Sequence, residues 1–202
     1  MSTTVAAYQL VETDEGVRGR HTRIPLEDLG EGDVLIRVTH SSVNYKDGLA
    51  ATGRAPIARR LPLVGGCCAA GTVVEPGKSG VPADTVVAVV GATLSEQHNG
   101  GYCEYLRVPA AWVVAVPEAF TSRQAAAIGT AGVTSAMAVV KLEDAGVTPE
   151  SGPIAVTGAS GGAGSLAVAL LAARGYEVTA LTGKPSSCSI SSATAHVSSP
   201  MT

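Results

Sequence analysis

The sequence predicts an α/β protein in which a partly closed β-barrel is followed by a single βαβ unit. Three observations predict it. Residues 154–184 read as strand, glycine turn, helix and strand. Residues 1–117 read as many short strands separated by Gly, Pro and acidic turns. Between them, at Thr121-Ser122-Arg123-Gln124, the period changes from that of strands to that of helices.

Taken in order, residues 5–11 are a strand candidate and 33–41 alternate like a half-buried strand. Residues 71–75, 85–90, 102–108 and 112–116 follow at fairly regular spacing, which favours a barrel over a helical domain. Thr121 and Gln124 spell a capping box, the first accepting from a first-turn N–H while the second reaches back. A second helical pattern, roughly 132–144, ends before Gly146 and leads through 148–153 into the βαβ unit. The expected division is a barrel domain over 1–125, a nucleotide-binding unit over 126–184 and a tail over 185–202.

Within the βαβ unit, Ile154–Thr157 is a short apolar run suited to a strand buried on both faces. The turn GASGGAG (158–164) follows. Residues 165–174, rich in Ala and Leu, then read as a helix closed by Gly175, and 176–181 as a second strand. A turn so poor in side chains lets backbone N–H groups approach a pyrophosphate, and the helix N-terminus adds unpaired donors and partial positive charge. The spelling departs from strict G-x-G-x-x-G, since Ser160 takes the second glycine position and Gly161 follows it. The surrounding strand, helix and strand supply the context the motif requires; the alternative is a flexible turn between two core elements. An NAD-preferring site usually places Asp or Glu after the second strand to hold the ribose 2′-hydroxyl. Here stand Thr182, Gly183 and Lys184. A hydroxyl, an open backbone and an ammonium suit a 2′-phosphate, which favours NADPH, while a solvated strand end is the alternative for Lys184.

With 202 residues the chain is long enough for one large or two small domains with real cores. A net charge of −3 gives no electrostatic reason to expect nucleic acid or an anionic membrane. The first residues lack a basic stretch followed by an apolar core, so no signal peptide is expected. Apolar runs such as 166–173 are too short to span a bilayer, and a cytoplasmic location without a membrane partner is the default. Cys67, Cys68, Cys103 and Cys188 show neither C-x-x-C spacing nor His partners at ligand distances, so no metal is expected. In a strand, Cys67 and Cys68 would project to opposite faces as small buried hydrophobes.

Several segments together resemble the medium-chain dehydrogenase/reductase superfamily, in its zinc-free quinone-oxidoreductase-like branch, and within it the NADPH-dependent acryloyl-CoA reductases. They are SSVNYKDGLAATG (41–53), LPLVGGCCAAGTV (61–73), HNGGYCEYLRVP (98–109), IGTAGVTSAMAVVKLEDAGVTP (128–149) and VTGASGGAGS (156–165). The resemblance covers about residues 4–184. It implies a GroES-like barrel followed by the first βαβ unit of a Rossmann domain. It also implies hydride transfer from NADPH to the C=C bond of an α,β-unsaturated acyl thioester such as acryloyl-CoA. A quinone or enone reductase is the alternative within the branch, and an inactive fragment with at most weak nucleotide binding is the alternative outside it. By the same resemblance, Tyr45 falls on the tyrosine near the nicotinamide. Ser160, Gly161, Gly162 and Ala163 fall on the pyrophosphate loop, and Thr182, Gly183 and Lys184 on the 2′-phosphate segment. A phenol is a candidate proton donor or enolate partner. Lys46 assisting Tyr45 competes with a reading of Lys46 and Asp47 as a solvated first turn. Arg54, Arg59 and Arg60 are candidates for coenzyme A phosphates, or are simply solvating charge. His98 reads as a hydrogen-bonded turn residue.

Departures from the family pattern carry expectations too. Gly65-Gly66-Cys67-Cys68 replaces Pro-Gly-x-Asp, so an acidic group near the cleft becomes Cys68. Asn99 replaces an aromatic, which is expected to reshape the substrate pocket. Family chains are much longer. The tail 185–202 has no charged residue and seven serines, a low-complexity composition that begins abruptly after Lys184, as a frameshifted or misannotated gene end would. A homodimer through the Rossmann sheet is expected only of a complete domain.

Overall fold

The computed structural model describes residues 3–183 and 195–198. The chain divides into two compact units, Met1–Thr130 and Ala131–Thr202.

The first unit is built from eight strands and a short helix: β1 (Thr4–Thr13), β2 (Gly16–Pro25), β3 (Val34–His40), α1 (Tyr45–Ala51), β4 (Leu63–Val64), β5 (Cys68–Glu75), β6 (Val86–Val90), β7 (Tyr105–Val108) and β8 (Val114–Ala115). They form two sheets, β2-β1-β4 and β7-β3-β5-β6-β8, and every pairing is antiparallel. Alternation makes the core: Val34 and Ile36 of β3 meet Val73, Val87, Val89, Leu106 and Val108 in one cluster, all nearly solvent-free. A second cluster gathers Val5, Ala7, Ile24, Leu29, Leu35 and Val64. The strand β2 has no apolar alternation strong enough to announce itself, since GVRGRHTRIP is half cationic or polar. It exists because all ten of its residues pair with β1 in one register, Thr4↔Pro25 through Thr13↔Gly16.

Asn99 lies in the barrel wall and is buried. Its Oδ1 accepts from Val64 N at 2.9 Å, and its Nδ2 donates to the carbonyls of Asp28 at 3.0 Å and Leu29 at 2.9 Å. Its amide ties the backbone at Val64 to that at Asp28 and Leu29. His98 braces the same turn, with Nε2 2.8 Å from Glu31 O, Nδ1 3.1 Å from Asn99 O and its ring edge-on to Trp112.

Helical residues run through α2 (Ser122–Asp144), opened by the expected capping box: Gln124 N donates to Thr121 Oγ1 at 3.2 Å and Thr121 N to Gln124 Oε1 at 2.9 Å. Gly129, at φ 42° and ψ −147°, breaks the run. Counted as a single run, Ser122–Asp144 is long and apolar enough by length and composition alone to cross a membrane, but Gly129 divides it into two shorter helical stretches.

In the second unit β9 (Ile154–Thr157), α3 (Gly162–Ala173), β10 (Val178–Leu181) and β11 (Ala195–Ser198) form a βαβ unit with a third strand. The sheet order is β11-β10-β9 and all pairing is parallel. The third strand corrects the expectation of a sheet that stops at two: β10 would otherwise offer unpaired N–H and C=O groups, and residues 195–198 take them up. A second correction concerns β9. Ile154 and Val156 face Val139, Val168, Leu171 and Val178 in the unit's core, whereas Ala155 and Thr157 are exposed, so the strand is covered on one face only. A third concerns α3, which begins at Gly162, three residues before the expected start, and closes at Gly175 as expected.

Candidate active site

Two sets of sequence-predicted residues are described within their own units. In the first unit, Tyr45 is the first residue of α1 and is 85% exposed. The entrance to this helix is held by Asp47, which is 5% exposed. Asp47 Oδ2 accepts from Asn44 N at 2.9 Å and from Asn44 Nδ2 at 3.3 Å, and Oδ1 accepts from Cys67 N at 3.0 Å. The alternative of a solvated first turn is overturned for Asp47, whose carboxylate is the third residue of the helix and reaches back as a capping residue does. Lys46 is half-buried and pairs with Glu96. Its ammonium is committed there. Arg54, Arg59 and Arg60 are exposed, and Arg60 Nε donates to Gln97 O.

Cys67 and Cys68 do not diverge as the strand rule predicts. Cys67 lies outside β5, directly after Gly66 at φ 95°, so alternation does not govern it. Both sulfurs reach the start of α1. Cys68 Sγ is 2.9 Å from Ser42 Oγ; Cys67 Sγ is 3.3 Å from Asn44 Nδ2, 3.4 Å from Thr130 Oγ1 and 3.6 Å from Asp47 Oδ2. Both residues are about 1% exposed. The neighbouring thiols push each other apart in acidity: the Cys67 side chain holds Cys68 below the usual thiol range, helped by Ser42 and opposed by burial. The Cys68 side chain, with burial and the Asp47 carboxylate, drives Cys67 upward. Tyr102 completes the wall, its hydroxyl donating to Ser42 O at 3.1 Å; burial and then Asp47 drive its phenol upward. Sequence reading missed Ser42, Thr130 and Tyr102, since each enters through a contact with a residue distant in the chain. Beside this wall a groove of about 680 Å³ is lined by Tyr8, His21, His40, Ser41, Val43 and Tyr102, among others; Tyr45 is not one of them.

In the second unit the glycine turn closes on the end of β10. Ser160 Oγ lies 2.8 Å from Thr182 Oγ1, and Ala159 N donates to Leu181 O at 3.1 Å. Two residues predicted separately for nucleotide contact are thus hydrogen-bonded to each other, and Thr182 is buried. Gly161 caps α3 with extended backbone and no side-chain cap bond, so the first-turn N–H groups of Gly162, Ala163 and Gly164 carry no intrahelical partner. The turn must be glycine where backbones meet: a Cβ on Gly164 would stand 2.3 Å from Gly158 O, and Gly158 itself sits at φ 62°. These two glycines, absent from the predicted contact set, give the loop its shape. Gly183 is exposed, and Lys184 lies outside the described residues, as does Cys188. Among the described residues no three His, Cys, Asp or Glu side chains are grouped to hold a metal.

A cradle of free N–H groups with no room for side chains fits a pyrophosphate, and the β10 end carries no carboxylate among its described residues. Comparisons with known proteins agree with this chemistry. Residues 30–118 match the alcohol dehydrogenase GroES-like domain. The acrylyl-CoA reductase AcuI of Ruegeria pomeroyi is 45% identical over 163 residues, covering 81% of this chain and 49% of that protein. Among solved structures, the yhdH oxidoreductase from Salmonella enterica in complex with NADP is 40% identical with a TM-score of 0.90, over 96% of this chain and 61% of that one. The Bacillus subtilis protein yhfP with NAD bound is 38% identical with a TM-score of 0.87, over 98% of this chain and 61% of that one. The chain spans about half the length of the curated relatives it matches. On these likenesses, and on the barrel and parallel βαβ unit that carry them, the chain belongs to the medium-chain dehydrogenase/reductase superfamily, in its quinone-oxidoreductase-like branch.

Proposed function

We propose that the chain carries the barrel wall and nucleotide loop of an NADPH-dependent reductase acting on the C=C bond of an α,β-unsaturated acyl-CoA of the acryloyl-CoA kind. The observation that carries the cofactor half of this reading is the Ser160–Thr182 hydrogen bond. It closes the glycine turn against a strand end where a hydroxyl stands in place of the carboxylate an NAD site uses. Ser160, Gly161, Gly162 and Ala163 hold the pyrophosphate, and Thr182, Gly183 and Lys184 hold the 2′-phosphate. When bound, the nicotinamide supplies the hydride. Tyr45 stands at the reacting end, its exposed phenol free to donate a proton or a hydrogen bond to the thioester oxygen as charge develops there. Asp47 keeps Tyr45 in place through Asn44 N–H, and Lys46, tied to Glu96, serves the loop rather than the chemistry. The likeness to a named acrylyl-CoA reductase supports the thioester substrate. The NAD bound to the Bacillus relative is the reason that cofactor preference must be measured.

The test is a fluorescence titration of purified 1–202 with NADPH and, separately, NADH. Saturable binding that favours NADPH supports the reading; equal affinities, or no saturable binding by soluble folded protein, refute its cofactor half. Turnover of acryloyl-CoA against a quinone then decides the substrate. Replacing Tyr45 by Phe should lower kcat/KM for the enoyl thioester by roughly 10²-fold or more if the phenol donates a proton, and an unchanged value removes Tyr45 from the chemistry.

A further inference from the structure

The loop that joins α1 to β4 carries Arg54, Arg59 and Arg60, and between Asp47 and Glu75 the sequence has no carboxylate. Most of the cations around it are already committed. Arg18 Nη1 donates to Val17 O at 2.8 Å and to Thr52 O at 3.3 Å, and its Nη2 lies 3.7 Å from Glu15 Oε2. Lys46 pairs with Glu96. Arg60 Nε donates to Gln97 O, and Arg60 lines the same hollow as Glu27 and Asp28. Arg54 and Arg59 differ: both are exposed, and neither guanidinium has a hydrogen-bond or ion-pair partner among the described residues.

The backbone beneath these two side chains is nevertheless fixed. Arg54 N donates to Leu49 O at 3.1 Å, and Gly53, at φ 66°, packs so closely that a Cβ there would stand 2.9 Å from Val17 O. Ile57 N donates to Ala55 O at 2.8 Å, which turns the chain between the two arginines, and Arg59 N donates to Glu96 O at 2.7 Å. The turn that supplies this last carbonyl runs against backbone preference. Ala92, Thr93 and Ser95 sit at φ 48°, 63° and 63°, in the left-handed region that disfavours residues with side chains. It is held by the N–H groups of Glu96, Gln97 and His98, which converge on Thr93 O at 3.1, 3.0 and 3.2 Å. A pinned backbone under unpaired guanidinium groups is the arrangement of a preorganised anion site rather than of solvating charge.

We propose that Arg54 and Arg59 bind phosphate groups of one ligand, the coenzyme A moiety of the thioester substrate, an inference that rests on the reductase reading above. The two residues are five apart, at most about 18 Å even in an extended chain, and the turn at Ala55–Ile57 shortens that span. Coenzyme A carries a diphosphate and a separate 3′-phosphate, so the two guanidinium groups meet two phosphate groups at once, each through paired N–H donors. Tyr45 stands at the other end of α1, about 10 Å of helix away, a span that the pantetheine arm of the same ligand bridges.

The experiment is a calorimetric titration of the full chain with acetyl-CoA, whose saturated acyl group is not reduced, so binding is read without turnover. Saturable binding is expected, weakened about 5- to 10-fold in Arg54→Ala and in Arg59→Ala and further in the double variant. Arg123→Ala, which removes an exposed arginine of α2, should bind as the wild type does. Saturating NADPH, which offers the same phosphate chemistry, should leave the acetyl-CoA affinity unchanged. Since neither side chain has a partner to lose, all variants should keep the wild-type urea midpoint. No saturable binding by the folded chain, wild-type affinity in the double variant, an equal loss in Arg123→Ala, or displacement by NADPH would overturn the proposal. Failure of the reductase reading shows differently, as absent NADPH binding or absent acryloyl-CoA turnover in a chain that still binds acetyl-CoA through the two arginines.

Discussion

Replacing Asp47 by Asn removes one oxygen and one charge while keeping the shape of the side chain, and it should unsettle the entrance of α1 out of proportion to so small a change. The carboxylate receives two backbone N–H groups on its two different oxygens, Asn44 N on Oδ2 and Cys67 N on Oδ1, with a third donor from Asn44 Nδ2. An amide has one oxygen, so its NH₂ must face one of those backbone donors. The loss is one hydrogen bond to a charged group and one buried N–H left without an acceptor. Hydrogen bonds to charged groups contribute about 1.5–3 kcal/mol, and an orphaned buried donor costs about 1–3 kcal/mol. The two descriptions overlap, so the expected cost is about 2–4 kcal/mol. Trp112 is the only tryptophan and lies in the first unit, packed against its core, so its fluorescence in urea reports that unit. With a slope of roughly 2 kcal/mol per molar, the midpoint should fall by about 1–2 M. A fall of less than about 0.3 M would refute the reasoning, because it would mean that the carboxylate's partners are satisfied equally well without it.

Other outcomes follow from the same accounting of polar groups. Asn99→Ala leaves Val64 N–H and the carbonyls of Asp28 and Leu29 without their partner, and should cost about 2–4 kcal/mol in the same urea assay. Asp33 is held below the usual carboxylate range chiefly by the N–H of Lys78, with desolvation opposing and the N–H of Ala110 assisting. Its folded pKa therefore lies below its unfolded 3.8, so its stabilising effect is complete above that value and is lost as pH falls through the folded one. Asp33→Asn should accordingly flatten the decline of the urea midpoint below about pH 4. Gly129→Ala would set a Cβ 2.9 Å from Ser42 Oγ at a backbone conformation that favours glycine, and should cost about 1–3 kcal/mol.

What the sequence disclosed about the fold was local in origin. The glycine turn, the helix closed by Gly175 and the Thr121–Gln124 box each depend on residues a few positions apart, and each is present. The helix start was misplaced because Gly162-Ala163-Gly164 has poor helix propensity. The close approach of Gly164 to Gly158 O requires glycine there and overrides that preference. The strand β2 was invisible because its support lies in ten residues of pairing with β1, not in its own composition. The task of Asn99 is not visible in the sequence because Val64, Asp28 and Leu29, which define it, are more than thirty residues away. The candidate site divides in the same way. The residues that would touch a ligand stand in local motifs, while Ser42 and Tyr102, which hold them, are defined by contacts no motif contains; Asp47 stands between, with a capping-box contact to Asn44 and a distant one to Cys67.

Cys68 shows how far a departure from a family pattern can be understood once its neighbours are known. The resemblance places an acid where this chain has Cys68, and by composition alone the exchange removes a negative charge. The structure returns part of it. Ser42 Oγ stands 2.9 Å from the Cys68 sulfur, and the Cys67 side chain with Ser42 holds that buried thiol below its ordinary range. The group at that point in the wall is thus more acidic than an ordinary buried thiol, on an atom larger and softer than a carboxylate oxygen. The neighbouring thiol that makes this possible is itself pinned by Asp47 and Asn44. The doublet therefore works as a unit: Cys67 without Cys68 would be an inert buried thiol, and Cys68 without Cys67 would lose the first cause of its acidity.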